Sequence, residues 1–412
     1  MKTASIVSIG NEILSGQTVD TNTAHLSAEL LSIGLPVVSS YAVGDEIERI
    51  VRALELAGSD ADVTIVTGGL GPTDDDLTRK ALAKFLGVEL ELRDELLARI
   101  RDYFARRNFE MAAKNEIQAY LPAGTGALPN NRGTASGIRA EANGRLFFAM
   151  PGVPSEMKQM FAESVMPELR QLAGGQAVVV RKLRCFGAGE STIAQQLGTI
   201  MRRGRNPLVN CTVHFGVITL HIVASAEDAE TARQMALKDE ESLRDMLGEL
   251  VFGTGDEDLA EVVGGKLARQ GKSVAVAESC TGGLVAKLIT DIPGASEYFT
   301  RGWVTYSNDA KSSELGVPAE LITRHGAVSE QVACAMAQGA RRKALTDFAI
   351  GITGIAGPGG ATEQKPAGLV YISVDSRHGC ETKRCVFTHE RRFVRQRSAQ
   401  TALNMLRLKL NV

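Results

Sequence analysis

Val274-Ala275-Val276-Ala277-Glu278-Ser279-Cys280-Thr281-Gly282-Gly283 sets out a short strand, three consecutive side chains able to act as nucleophiles, and a glycine pair. Val274 and Val276 alternate with small residues, as in a strand packed within a sheet, and Leu284 to Ile289 resumes with helical spacing. A strand that ends in a hydroxyl-rich turn and opens a helix is where open α/β sheets hold ligands, because the first helical amides point at whatever sits there. Upstream of this turn the chain reads as other domains. Downstream, its clusters converge on it.

With 412 residues the chain exceeds one typical core, so two or three domains are expected. Hydrophobic residues make up 44%, charged residues 23%, and 42 glycines mark many tight turns, which is a globular profile and not a disordered or fibrous one. A formal net charge of -2 supplies no general attraction to nucleic acid or to an anionic membrane, so neither is expected as a partner. No apolar run approaches membrane-spanning length, and Met1 leads into a strand pattern without the apolar block of a secretory signal. Cys185, Cys211, Cys280, Cys334, Cys380 and Cys385 are scattered and form no Cys-x-x-Cys, which fits reduced thiols in a cytoplasmic protein.

Residues 1–173 alternate strands and helices. Thr3 to Ile9, Val37 to Val43 and Asp62 to Thr67 read as strands, and Thr23 to Ile33 and Glu46 to Ala57 as helices, which implies a doubly wound parallel sheet covered on both faces. The third strand runs into Gly68-Gly69-Leu70-Gly71-Pro72-Thr73-Asp74-Asp75-Asp76. Gly68, Gly69 and Gly71 allow a ligand close to the backbone and expose amides. Asp74, Asp75 and Asp76 offer a divalent cation a place to bridge phosphate oxygens. Helix capping by Thr73 or Asp74 accounts for the acids equally well, but it needs only one of them and leaves the glycines unexplained. Glu12, Asp20 and Asn22 follow the first strand and fall at the same carboxyl edge. The loops at 130–137 and 150–156 carry turn chemistry.

Residues 174–252 read as a small β-α-β-β-α unit after a junction at Gln171 to Gln176. It has some likeness to RNA-binding KH modules and a basic run, Arg202-Arg203-Gly204-Arg205. The Gly-x-x-Gly loop of such modules and interleaved aromatics are missing, so a connector or dimerisation domain is the expectation, with a homodimer as the assembly.

In residues 253–412, His325, His378 and His389 show no ligand spacing, and Gly-x-Ser-x-Gly is missing, so neither metal hydrolysis nor a Ser-His-Asp triad is supported. What remains is a serine activated by a lysine whose pKa burial depresses. Lys311 follows Tyr306 at the turn from a strand into a helix, and Tyr306 can relay a proton or orient the amine. Among Ser279, Cys280 and Thr281, a helix N-terminus would favour the thiol, but no histidine is placed to serve it. Thr353 feeds Gly354-Ile355-Ala356-Gly357-Pro358-Gly359-Gly360, which with the guanidinium of Arg391 suits a substrate phosphate. The spacing is not that of a dinucleotide fingerprint.

Ser-Ile-Gly-Asn-Glu-Ile-Leu at 8–14, Thr-Gly-Gly-Leu-Gly-Pro-Thr-Asp-Asp-Asp at 67–76 and Met-Pro-Gly-Val-Pro-Ser-Glu-Met at 150–157 resemble the molybdopterin-binding-type domain of the competence/damage-inducible CinA proteins. Ala-Glu-Ser-Cys-Thr-Gly-Gly at 277–283, Arg-Gly-Trp-Val-Thr-Tyr-Ser-Asn at 301–308, His-Gly-Ala-Val-Ser-Glu at 325–330 and Gly-Ile-Ala-Gly-Pro-Gly-Gly with Lys365-Pro366 resemble the nicotinamide mononucleotide deamidase domain of the same family. The resemblance covers the first and last domains, both α/β, on either side of the small α+β KH-like connector. It implies that the first is an ADP-ribose pyrophosphatase needing a divalent metal ion, with Glu12, Asn22, Gly68, Gly69, Gly71 and Thr73 around the nucleotide and Asp74, Asp75 and Asp76 at the metal. The last implies a nucleophile at Ser279, a base at Lys311, an assisting tyrosine at Tyr306 and a polar contact at Thr353. Thr281, Gly282, Gly283, Gly354 and Gly357 would bind substrate, and the phosphate-binding arginine falls on Arg391, with Arg392 and Arg395 as rivals. The family name also admits a non-catalytic nucleotide-binding protein tied to DNA uptake, or one that handles molybdopterin.

Overall fold

The structure, a computed structural model, describes residues 2–174, 177–388 and 390–411. Gly175 and Gln176 of the expected junction, and His389 ahead of the last helix, lie outside the described residues. The chain divides into two compact units, Met1–Val179 with Ala224–Gln234, and Val180–Val223 with Met235–Val412.

The first unit is built on a six-stranded sheet. Its strands run in the order Val37–Val43, Ala4–Ile9, Val63–Thr67, Arg145–Met150, Gly137–Ala142, Gly126–Leu128. The first four are parallel and the last two antiparallel, so the doubly wound sheet carries an antiparallel edge. Every residue of Val63–Thr67 is buried, because side chains alternate between two covered faces. Val63 and Ile65 join Leu26, Leu30, Met157 and Phe161 on one face, while Val66 joins Ile50, Leu54, Leu82 and Ile100 on the other. Phe147 and Phe148, adjacent in sequence, fall into opposite cores for the same reason.

The connector's sheet has the order Leu208–His214, Val217–Ala226, Ala177–Cys185, Val251–Thr254. Gly253 and Thr254, read from sequence as the start of a polar turn, instead extend a strand that pairs antiparallel with Ala177–Cys185. Phe252 explains the difference: it is buried in the same core as Leu259, Leu403 and Leu406 of the C-terminal domain. In the basic run Arg205 is pinned between Asp239 and the Pro207 carbonyl, a structural tie and not part of a free cationic surface.

The C-terminal sheet runs Phe299–Val304, Val274–Glu278, Phe348–Gly354, Leu369–Ser376, Gly379–Val386, three parallel strands followed by two antiparallel ones. Helices Leu259–Gln270 and Arg391–Lys409 cover the face carrying Val274 and Val276. Ala275 and Ala277 face Val332, Met336 and Ala340 of helix Glu330–Ala344. These small residues let that helix lie close. A Cβ on Gly351 of the middle strand would run into the Ala333 carbonyl of the same helix. The carboxyl ends of the three parallel strands share one edge, where doubly wound sheets place their ligands.

Gly351→Ala forces this helix off the sheet and costs roughly 2 kcal/mol, the range of core overpacking. Trp303, the protein's single tryptophan, is buried in that core and reports its unfolding by fluorescence in denaturant. A midpoint equal to that of the parent protein contradicts the close-packing account.

Candidate functional site

Each of the three parallel C-terminal strands delivers one piece of a site. From the central strand comes Ser279, whose amide donates to the Ile352 carbonyl (3.0 Å) of the neighbouring strand. The turn closes as the Gly282 amide donates to the Ser279 carbonyl (3.1 Å), with Gly282 and Gly283 at φ 60° and 88°. Other residues are strained at those angles, so the glycine pair is what lets the strand reverse into helix Leu284–Thr290. Glu278 is fully buried, and its carboxylate accepts from the amides of Val285 (3.1 Å) and Ala286 (2.9 Å). A negative charge at a helix's positive end is satisfied there without a cationic side chain.

The strand Phe299–Val304 leads into Thr305, Tyr306 and Ser307. The Ser307 hydroxyl accepts from the Ala310 amide (3.1 Å) and caps helix Asn308–Leu315, which turns Lys311 inward. Lys311 is 1% exposed. Its Nζ lies 3.1 Å from Ser279 Oγ, 2.8 Å from the Thr305 carbonyl and 3.2 Å from the Tyr306 carbonyl. A neutral amine has two hydrogens and one lone pair. With both hydrogens given to the two carbonyls, the lone pair falls on the Ser279 hydroxyl. The carbonyls favour the ammonium form and burial the amine. With no carboxylate paired to Lys311 among the described residues, burial prevails and lowers its pKa from the ordinary 10.5.

The remaining C-terminal candidates fall around this pair. Tyr306 is exposed, and its hydroxyl accepts from Arg391 Nη2 (3.3 Å), so its carbonyl and not its hydroxyl meets the lysine. The Thr353 hydroxyl donates to the Ala327 carbonyl (2.8 Å). Lys365 donates to the His325 and Val328 carbonyls (2.8 Å each), so the 325–328 stretch is held against the segment after the glycine loop. Arg391 also donates to the Gly357 carbonyl (3.0 Å) and bridges the glycine loop to Tyr306. Arg395 is committed through Nε and Nη2 to the Thr281 carbonyl (3.2 and 2.7 Å), and Arg392 lies over the Phe215 ring (5.9 Å). Arg391 is therefore the exposed arginine facing the loop. The Gly282 amide is already bonded, whereas the Thr281 amide has no acceptor among the described residues. Cys280 is packed in the core, and burial pushes its thiol up to about 12.

In the N-terminal unit, Glu12, Gly68, Gly69 and Gly71 line a cavity of about 540 Å³ at the carboxyl edge of the sheet, together with Asp45, Asp75, Asp76 and Glu156. Gly68 and Gly69 are at φ 107° and 64°, and Cβ atoms there would meet the Ile9 carbonyl and the Thr78 hydroxyl. The three consecutive acids diverge: Asp75 and Asp76 line the cavity, and Asp74 does not. Asp76 accepts from the Gly71 (2.7 Å) and Thr73 (2.8 Å) amides and shapes the loop, and Asp74 turns outward to Lys114 (3.5 Å). Thr73 is bonded to Asp76, and Asn22 ties Thr67 (3.0 Å) to the Gly152 carbonyl (2.8 Å); neither Thr73 nor Asn22 lines the cavity. Burial raises the pKa of Asp45, reinforced by the charges of Glu12, Asp75 and Asp76. No group of three or more His, Cys, Asp or Glu among the described residues is gathered into a ready cage for a metal. The carboxylates present fit a cation shared with a bound phosphate, not one enclosed by protein alone.

Several residues gave no signal in sequence. Glu278 stands beside the expected nucleophile but reads as one more acid, and only the structure shows it fully buried on two helix amides. Arg79 lies in an ordinary polar stretch, yet it is buried under the glycine loop and donates to the Leu70 and Gly71 carbonyls (2.6 Å each), with burial lowering its pKa to about 10. Asp45 follows a strand that ends at the same edge as Glu12, a placement that strand order alone could have suggested.

Family models match nearly the whole chain: "Probable molybdopterin binding domain" over residues 5–171, "Damage-inducible protein CinA KH domain" over 180–253 and "CinA C-terminal domain" over 256–410. A CinA-like protein of Geobacter sulfurreducens is 43% identical over 413 residues, covering 100% of this chain and 99% of its own. A CinA-like protein of Kosmotoga olearia is 40% identical over 408 residues, covering 99% and 98%. Among solved structures, the competence/damage inducible protein CihA from Agrobacterium tumefaciens is 43% identical and covers 37% of this chain and 94% of its own, with a TM-score of 0.36. No helix among the described residues is long and apolar enough to cross a membrane. With relatives that share its sequence from end to end and all three of its domain models, the chain belongs to the CinA family.

Proposed function

We propose that the C-terminal domain hydrolyses the carboxamide of nicotinamide mononucleotide to nicotinate mononucleotide and ammonia. The observation that carries this reading is the buried contact between Lys311 Nζ and Ser279 Oγ, 3.1 Å apart with no carboxylate on the lysine among the described residues. Neutral Lys311 takes the Ser279 proton as Oγ attacks the amide carbon. The free amide of Thr281 faces the charge that develops on the carbonyl oxygen. Lys311, now an ammonium, returns its proton to the leaving nitrogen, and ammonia departs. Water then opens the acyl-serine with the same amine as base. Arg391 and the 354–360 loop hold the 5′-phosphate, and the Tyr306 hydroxyl orients Arg391.

The N-terminal cavity takes ADP-ribose and cleaves its pyrophosphate to AMP and ribose 5-phosphate. Support comes from the glycine-lined edge and from electrostatics. Glu12, Asp45, Asp75 and Asp76 line the cavity, and a diphosphate meets them favourably only with a divalent cation between. The cation supplies charge neutralisation. The chain's own residues orient the phosphates through the loop that Asp76 and Arg79 hold rigid. Both reactions return pyridine nucleotide fragments to use, in a homodimer in the cytoplasm.

Ser279→Ala abolishes ammonia release from nicotinamide mononucleotide by the full-length protein while the tryptophan fluorescence transition is kept. Undiminished release removes the assignment. Because the base works only when neutral and its pKa is lowered, kcat/KM rises with pH through one ionisation below 10.5 and then levels. A flat profile from pH 5 to 10 contradicts lysine as base. For the N-terminal site, a chelator stops AMP formation, and Asp75→Asn lowers it by more than about ten-fold. Asp74→Asn leaves the rate within about two-fold, because that carboxylate turns away from the cavity. Full activity in the presence of chelator refutes the cation reading.

A further inference from the structure

Among the connector's contacts with the C-terminal domain is a strained turn. Leu208–His214 and Val217–Ala226 pair as a hairpin closed by His214 and Val217, leaving Phe215 and Gly216 at its tip with φ 45° and 77°. Two left-handed residues form the turn that matches hairpin twist, but glycine or asparagine ordinarily fills the first place. A phenylalanine there pays steric strain, and strain retained at a surface turn points to a job for the side chain.

Phe215 rests on the start of helix Arg391–Lys409. Its ring centroid is 6.1 Å from that of Phe393, and the Arg392 guanidinium is 5.9 Å from it. Gly216 packs against the Arg397 guanidinium so closely that a Cβ would collide with it, and Arg397 in turn lies 4.5 Å over the Phe186 ring of the connector. Residues 393 and 397 sit on one face of the helix, and at 100° per residue 391 and 395 fall on the opposite face. That opposite face is the one that holds the site: Arg395 on the Thr281 carbonyl, Arg391 on the Gly357 carbonyl and the Tyr306 hydroxyl. Glu390 at the N-cap of this helix makes no side-chain capping bond among the described residues. Farther along, Arg407 donates to the Val251 carbonyl (3.4 Å) and to the Glu249 carbonyl, so the connector grips the helix near both ends.

We infer that Phe215 is a positioning residue for the amide-hydrolysing site: through Phe393 and Arg392 the connector's hairpin tip sets where Arg391 meets the substrate phosphate. This inference rests on the proposed deamidase reading for its substrate. The contact of the tip with the helix does not.

The test is Phe215→Ala in the full-length protein, with Phe215→Tyr as the conservative control. In the alanine variant KM for nicotinamide mononucleotide rises about ten-fold with kcat within two-fold, because a phosphate contact is made equally in ground and transition states. Phe215→Tyr stays within two-fold of the parent on both constants. With nicotinamide riboside, which has no phosphate, parent and alanine variant are equal. A loss of the same size on the riboside, or a fall in kcat alone, overturns the inference, since either marks general damage and not arginine placement. Hydrogen exchange at amides 394–398 separates this from failure of the deamidase reading. If the parent releases no ammonia, faster exchange there in Phe215→Ala, with 399–409 unchanged, still upholds the positioning contact. Unchanged exchange at 394–398 sinks it. Should Phe215→Ala fail to fold, Phe215→Leu is read by the same measurements.

Discussion

A lysine buried against a serine, with no carboxylate paired to it among the described residues, is the constraint that shapes the C-terminal domain. Taking an ammonium out of water costs several kcal/mol, and an ion pair would offset part of that. The domain contains a buried carboxylate only one residue from the serine, yet Glu278 is satisfied by the Val285 and Ala286 amides and Lys311 by the Thr305 and Tyr306 carbonyls. Each side chain is satisfied by backbone groups instead of by the other. Had Glu278 reached Lys311, the pair would lock the amine as an ammonium and leave no lone pair for the serine. Keeping them apart requires that one strand end turn its carbonyls inward while the next opens a helix toward the carboxylate. That is an arrangement for which parallel strands joined by helices are suited.

The two units solve opposite electrostatic problems. In the first, carboxylates gather at a glycine-rich edge, and mutual repulsion with burial raises Asp45. A phosphate cannot approach such a surface alone. In the second, arginines face the mouth: Arg395 is committed to the nucleophile turn and Arg392 lies toward the connector, while the exposed Arg391 bridges the glycine loop and Tyr306.

Much of this was legible in the amino-acid sequence, for reasons that can be named. The fully buried Val63–Thr67 strand and the Val274–Glu278 strand both read as apolar runs ending in glycine turns, and both proved central in parallel sheets. Ser279 and Lys311 stood out because few residue types offer serine-lysine chemistry and the family resemblance fell on these two, and the structure brings them to 3.1 Å. What stayed hidden depends on burial and on distant partners. Asp74, Asp75 and Asp76 look equivalent in sequence, but the turn at Thr73 sends Asp74 outward and the other two to the cavity, where Asp76 also takes the loop amides. Glu278 and Arg79 are charges whose partners are backbone groups, and no side-chain pattern announces those. The strand at Val251–Thr254 was missed because its glycine suggested a turn, while Phe252, anchored in a core more than a hundred residues away, decided otherwise.

The choice between adjacent nucleophiles follows from the same burial that tunes the lysine. Cys280 points into the core beside Val276 and Val285, and its thiol is pushed up to about 12. The thiolate is therefore disfavoured at neutral pH even beside the start of a helix. Ser279, one residue earlier, falls on the other side of the strand end, where Lys311 is. A serine needs a base at the moment of attack, not a standing anion, so it tolerates a dry environment that silences a thiol. One degree of freedom, the side of the strand on which each residue falls, therefore places the hydroxyl against the lysine and the thiol in the core.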